Sequence, residues 1–136
     1  MDHTVVHFEI PANNVQKLKT FYEEVLGWKI VNSGMPGMEY WIIQTVPTDD
    51  KGMLQRPGVN GGLYQRTPEM PNATQINYIS IENIDEYIAK VTTAGGKIIV
   101  PKQQIPTVGS IAIAADPEGN AFGLIQPEMP PPSPQT

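Results

Sequence analysis

The chain of 136 residues repeats its own plan, and the repeat limits the fold more than any single motif does. Sliding the second half by 69 positions lays Asn83 on Asn14, Ile84 on Val15, Val91 on Tyr22 and Gly96 on Gly27. At the ends of the two halves, Gly62-Leu63-Tyr64-Gln65 matches Gly123-Leu124-Ile125-Gln126 at an offset of 61. The fall in offset assigns about eight extra residues to the first half. Residues 48–59 are the simplest place for them, because Pro47, Asp49, Asp50, Gly52, Pro57 and Gly58 write a loop there. That loop is expected to border whatever the protein's pocket holds.

Within each half the periodicity reads β-α-β-β-β. The run Thr4-Val5-Val6-His7-Phe8-Glu9-Ile10 is β-branched and aromatic, partly alternating, and closed by Pro11, which predicts a strand. Asn13-Asn14 announces a helix. Val15, Leu18, Phe21, Tyr22, Val25 and Leu26 then form a stripe at helical spacing, and Gly27 stands where a C-terminal cap belongs. Strands are expected at 28–31, 39–46 and 61–65, the first two separated by the turn-rich Ser33-Gly34-Met35-Pro36-Gly37. In the second half a strand at 76–81 meets Asn83, which with Glu86 has the form of a capping box. A helix carrying Ile84, Tyr87, Ile88 and Val91 ends at Ala94-Gly95-Gly96, and strands follow at 97–100, 110–114 and 121–126. The expected organisation is one domain over 1–126, with module one at 4–66 and module two at 74–126. Residues 127–136 form a proline-rich tail, expected to be extended and polyproline-like.

Composition narrows the partners. A net charge of −5, with nine scattered basic residues, argues against nucleic acid, whose binding draws on lysine and arginine neutralising phosphates. The absence of cysteine removes disulfides, thiolate metal sites and cysteine nucleophiles, and makes a reducing, cytoplasmic location the natural expectation. No stretch is long or apolar enough for a membrane span, and the first residues do not resemble an export signal.

A strand carrying His7, then Phe21-Tyr22 and Leu26-Gly27-Trp28 at the end of the first helix, resembles the entry module of the glyoxalase/bleomycin-resistance/dioxygenase (vicinal oxygen chelate) superfamily. Asp116-Pro117-Glu118-Gly119-Asn120 before the last strand resembles its closing signature, so the likeness spans about Val5 to Gln126. The resemblance implies an α+β fold in which two tandem βαβββ modules bend into a U-shaped mixed sheet, helices outside and a concave groove inside. Strand parity then nominates groove residues. His7 and Glu9 face inward if Phe8 and Ile10 pack on the first helix. By the same rule Ile76, Tyr78 and Ser80 face inward, and the resemblance to the family puts Gly62 with Tyr64, and Gly123 with Ile125, on the groove side. On the third strands Tyr40, Ile42 and Gln44 are expected inward, with Ser110, Ala112 and Ala114 as their small counterparts.

Metal-dependent members of the family place ligands at four spots, which here read His7, Gly62, Ile76 and Gly123. A divalent ion needs lone-pair donors, and only His7 supplies one, so no metal or other cofactor is expected. Glu9, or the amides of Gln65 and Gln126, are the nearest replacements should a divalent metal bind after all. His7 beside Glu9 also suggests an acid/base pair, in which the carboxylate raises the imidazole pKa toward neutrality. Tyr40, Tyr64 and Tyr78 would offer hydroxyls to a ligand, whereas Trp28 and Trp41 read as core or groove wall. The absent side chains at Gly62 and Gly123 are expected to deepen the groove. The leading expectation is a metal-independent protein that binds a small organic molecule and forms a homodimer. One alternative is an active lyase, isomerase or dioxygenase working through His7 and Glu9 or an atypical metal site. A non-catalytic structural subunit is the other.

Overall fold

Strand β1 (Val5–Ala12) turns into helix α1 (Val15–Leu26), followed by β2 (Lys29–Asn32), β3 (Tyr40–Gln44) and β4 (Gly61–Gln65). The plan recurs as β5 (Ile76–Ser80), α2 (Ile84–Thr93), β6 (Lys97–Ile105), β7 (Gly109–Ala115) and β8 (Ala121–Pro127). A computed structural model describes residues 2–128, and these fall into two units, 6–77 and 2–5 with 78–128. The strand order is β2-β3-β4-β1 in the first unit and β5-β8-β7-β6 in the second. In each, the first strand pairs in parallel with the last, and the remaining pairs are antiparallel.

Both helices start on the asparagines that align in the repeat. The Lys17 N–H donates to Asn14 Oδ1 at 3.0 Å and the Glu86 N–H to Asn83 Oδ1 at 3.1 Å, satisfying amides that have no partner in the first turn. Glu86 is drawn to Lys90 one turn on (3.3 Å), an ion pair the capping-box reading did not anticipate. Helix α1 closes at Gly27, whose φ of 71° suits a residue without Cβ and whose N–H returns to the Glu23 carbonyl.

Each unit has its own apolar layer between helix and sheet. In the first, Ile10, Ala12, Val15, Ile30, Ile43 and Leu63 are buried, with Phe8, Leu18, Tyr22, Trp28 and Trp41 packed around them. Trp28 stacks on Tyr22 at 5.1 Å between ring centroids, so it belongs to the wall of this layer. In the second, Ile81, Ile84, Ala112 and Leu124 are buried under Ile79, Tyr87, Ile88, Val91 and Phe122. Burying a side chain such as Leu63 or Ile84 contributes roughly 1.5–3 kcal/mol.

Strands β6 and β8 run beyond their expected ends. Strand β6 runs on through Pro101 to Ile105; lying last in its strand order, it tolerates a residue without an N–H. Strand β8 includes Pro127, paired with Gly109, so the tail does not begin there. Its remainder, 129–136, lies outside the described residues. The extra residues of module one do lie between its last two strands, where the connection covers 45–60 against 116–120 in module two. No helix among the described residues is long and apolar enough to cross a membrane.

Candidate functional site

Strand alternation puts Phe8 and Ile10 on the helix side of β1, leaving His7 and Glu9 on the opposite face. Glu9 lies beside Gly62 in the parallel β1–β4 register, and β3 brings Tyr40 opposite Tyr64 on the far side of β4. The result is a cluster on the sheet's open face. The Tyr40 hydroxyl donates to Glu9 Oε2 at 2.9 Å and stands 2.8 Å from His7 Nε2. A phenol has one proton. With it given to Glu9, the His7 Nε2–H donates to Tyr40 Oη, which fixes the imidazole tautomer and leaves Nδ1 as the lone-pair nitrogen. His7 Nε2 and Glu9 Oε2 are 3.9 Å apart, beyond hydrogen-bond range, so the phenol relays between them.

This arrangement corrects the expected electrostatics. Burial pushes the His7 pKa from 6.5 down to about 4, rather than a carboxylate raising it, so the imidazole is neutral at pH 7. Tyr64, on the same face, has its pKa raised by burial first and by the Glu9 charge second, with Arg66 opposing. Arg66 is itself anchored, Nη1 donating to Asn13 Oδ1 at 2.7 Å and Nη2 to the Ala73 carbonyl at 2.9 Å.

The glycines serve a different purpose from the one anticipated. A Cβ at Gly62 would fall onto the Tyr40 hydroxyl and ring carbons, and a Cβ at Gly123 onto the ring of Tyr78, its register partner on β5. The missing side chains make room for two tyrosines rather than deepening a groove. Tyr78 is accordingly buried, as are Ser80 and Ile76, while Ile125 is half-buried.

Ser110 is misplaced in the sequence reading. In the antiparallel β7–β8 register Ala112 pairs with Leu124 and Ser110 with Gln126, and Ala112 and Leu124 both pack under α2. Gln126 points to the same side, its Oε1 accepting the Ile84 N–H at the start of α2. Ser110, Ala112 and Ala114 therefore face the helix. Ile111 and Ile113, paired with Ile125 and Gly123, occupy the open face that the small residues were expected to line. The register with Leu124 was the available signal, and it is visible only once β7 and β8 are paired.

The family's metal does not fit these residues. His7 Nε2 is engaged with Tyr40, the space at Gly62 holds that tyrosine's phenol, Ile76 has no donor, and the space at Gly123 holds Tyr78. Among the described residues no three His, Asp or Glu side chains converge.

The loop expected to border a pocket does border one. The 45–60 connection borders a cavity of about 270 Å³ with Gly27 and Lys29, and Gln44, expected on the open face of β3, lines it. Arg56 lines it too, and nothing in the loop's composition marked that residue.

A family model described as the Glyoxalase/Bleomycin resistance protein/Dioxygenase superfamily matches residues 4–124. A protein named as a glyoxylase, CFP32 of Mycobacterium bovis, is 27% identical over 127 residues, covering 91% of this chain. The match takes in 44% of that relative's length, so the chain spans less than half of it. Two solved structures share the fold: the hypothetical protein BH1468 from Bacillus halodurans and methylmalonyl-CoA epimerase from Mycobacterium tuberculosis. BH1468 has a TM-score of 0.67 at 14% identity, covering 98% of this chain and 100% of that one. The epimerase has a TM-score of 0.65 at 11% identity, covering 92% and 88%.

Proposed function

Because this chain belongs to the glyoxalase/bleomycin-resistance/dioxygenase superfamily, we propose that it uses the open face of its sheets to bind a small organic molecule without a resident metal. The observation that carries this reading is the phenol of Tyr40 lying over Gly62 with its oxygen between His7 and Glu9. A hydroxyl held between an imidazole and a carboxylate offers a ligand hydrogen bonds but no Lewis acid. Ile42 and Tyr64, on the same face of β3 and β4, supply apolar surface around such polar anchors, the usual make-up of a small-molecule site. Fold neighbours that act on coenzyme A esters set a precedent for an organic ligand.

The hydrogen-bonded chain His7–Tyr40–Glu9 supports a second reading, an enzyme doing proton transfer. Neutral His7 is a poor acid at pH 7, so Glu9 would take a proton through Tyr40, and His7 would hold the phenol in position. The binding reading also includes a homodimer in the reducing interior of the cell.

Elemental analysis of protein purified without chelator, alongside mass spectrometry of small molecules released on denaturation, separates these readings. Substoichiometric nickel, iron, manganese and zinc with a co-purified organic compound is the expected result, and one bound metal per chain overturns it. Turnover of a compound so identified that disappears in Glu9→Gln favours the proton-transfer reading.

A further inference from the structure

The insertion that sets module one apart from module two has a defined shape. Asn60 gathers it: its Oδ1 accepts the Thr45 and Val46 N–H groups at 2.7 and 3.1 Å, and its Nδ2 donates to the Val46 carbonyl at 3.1 Å. The Thr45 hydroxyl donates to the Val59 carbonyl at 2.6 Å. At the other end Asp49 Oδ1 accepts the Lys51 and Met53 N–H groups, both at 2.9 Å, and Thr48 bridges to Leu54. These bonds hold both stems of the loop, and Arg56 lies between them.

The cavity so formed gathers charge of one sign. Its lining includes Lys29, Arg56, Gln44 and Thr48 and contains no carboxylate. Lys29 lies beside Gln44 in the β2–β3 register and on the same side of the sheet. Gln44 Nε2 donates to Thr48 Oγ1 at 3.3 Å, which leaves the threonine proton for another acceptor. Among the described residues neither Lys29 nor Arg56 has an ion-pair partner. Two unneutralised cations at one small cavity are notable in a chain of net charge −5 with only nine basic residues.

We propose that this cavity is a binding site for a small oxyanion, held by the Arg56 guanidinium, the Lys29 ammonium and the Thr48 hydroxyl. A guanidinium presents paired N–H donors matched to two oxygens of a phosphate or carboxylate, and an ammonium adds a point charge beside it. The insertion exists, on this view, to carry Arg56 to Lys29. Module two lacks the insertion, its equivalent connection covering only 116–120. The proposal is independent of the His7 cluster and holds whether or not that cluster binds a ligand.

The test is titration of the full chain with inorganic phosphate, and separately with acetate, at low ionic strength, followed by backbone amide NMR. Saturable shifts confined to the amides of residues 27–29, 44–46, 48 and 56 are expected for at least one anion. Phosphate alone means a phosphoryl site, and both anions mean a general oxyanion site. Arg56→Gln is expected to weaken binding about tenfold or more, Lys29→Gln several-fold, and Lys17→Gln, on the exposed surface of α1, not at all. Non-saturating shifts spread over all lysine-bearing segments, or affinity unchanged in Arg56→Gln, overturn the proposal. The unperturbed spectrum of each variant checks that the loop has kept its fold.

Discussion

The two modules share one backbone plan and fill it with opposite chemistry. Where module one has His7, Glu9 and Tyr40, the equivalent places in module two hold Ile76, Tyr78 and Ile111. Each module keeps a glycine in its last strand and each covers it with a tyrosine, but from different neighbours. Glu9, in register with Gly62, does not cover it, and the phenol arrives from β3 on the other side. In module two the register partner is itself a tyrosine, Tyr78, and lies over Gly123 directly. Both modules thus keep a ring over a glycine, while the imidazole and the carboxylate stand in module one only. The hydrogen-bonded chain His7–Tyr40–Glu9 belongs to module one.

The largest expected effect comes from breaking the shared feature. Gly62→Val and Gly123→Val each drive a branched side chain into a tyrosine, and each is expected to cost about 3 kcal/mol in urea unfolding. Tyr40→Ala should recover part of the Gly62→Val loss, a coupling read from a double-mutant cycle. Additive losses would mean that the ring does not fill that space.

Acid separates the modules next. Unfolded His7 takes up a proton near pH 6.5 and folded His7 only near pH 4, so its contribution to stability is complete above 6.5 and lost as pH falls toward 4. Solvent reaches 31% of its side chain, which reduces the linkage effect to about 2 kcal/mol over that window. His7→Gln should flatten this part of the pH–stability curve; an unchanged slope assigns it elsewhere.

Tyr40→Phe keeps the ring over Gly62 and removes the relay. A loss of about 1–2 kcal/mol is expected, together with a change in the His7 imidazole signals by NMR. The smallest effect tests what the modules have in common. Asn14→Ala and Asn83→Ala should each cost about 1 kcal/mol, because both side chains accept the same first-turn amide.

The repeat made most of the fold legible. Helical stripes, two asparagine caps and the matching module ends located the ten elements found among the described residues; the faces of β1 and β5 followed from strand parity, and those of β4 and β8 from the family pattern. The same logic failed on β7, where Ser110-Ile111-Ala112-Ile113-Ala114 puts its larger apolar residues on the face away from the helix. Ala112 and Ala114 are fully buried on the helix side, so small size there reflects close packing rather than an open groove.

By itself, the sequence determined the α+β class, the two βαβββ modules and the place of the extra loop, and, once the resemblance had supplied the family's four metal positions, the lack of donors at three of them. These depend on local periodicity and residue identity, which a linear chain carries in full. Tertiary structure alone decided that Tyr40 fills the space at Gly62, that burial holds His7 neutral, that Ser110 faces α2 and that Arg56 reaches the cavity at Lys29. Each of these depends on strand register or burial, which bring together residues far apart in the chain.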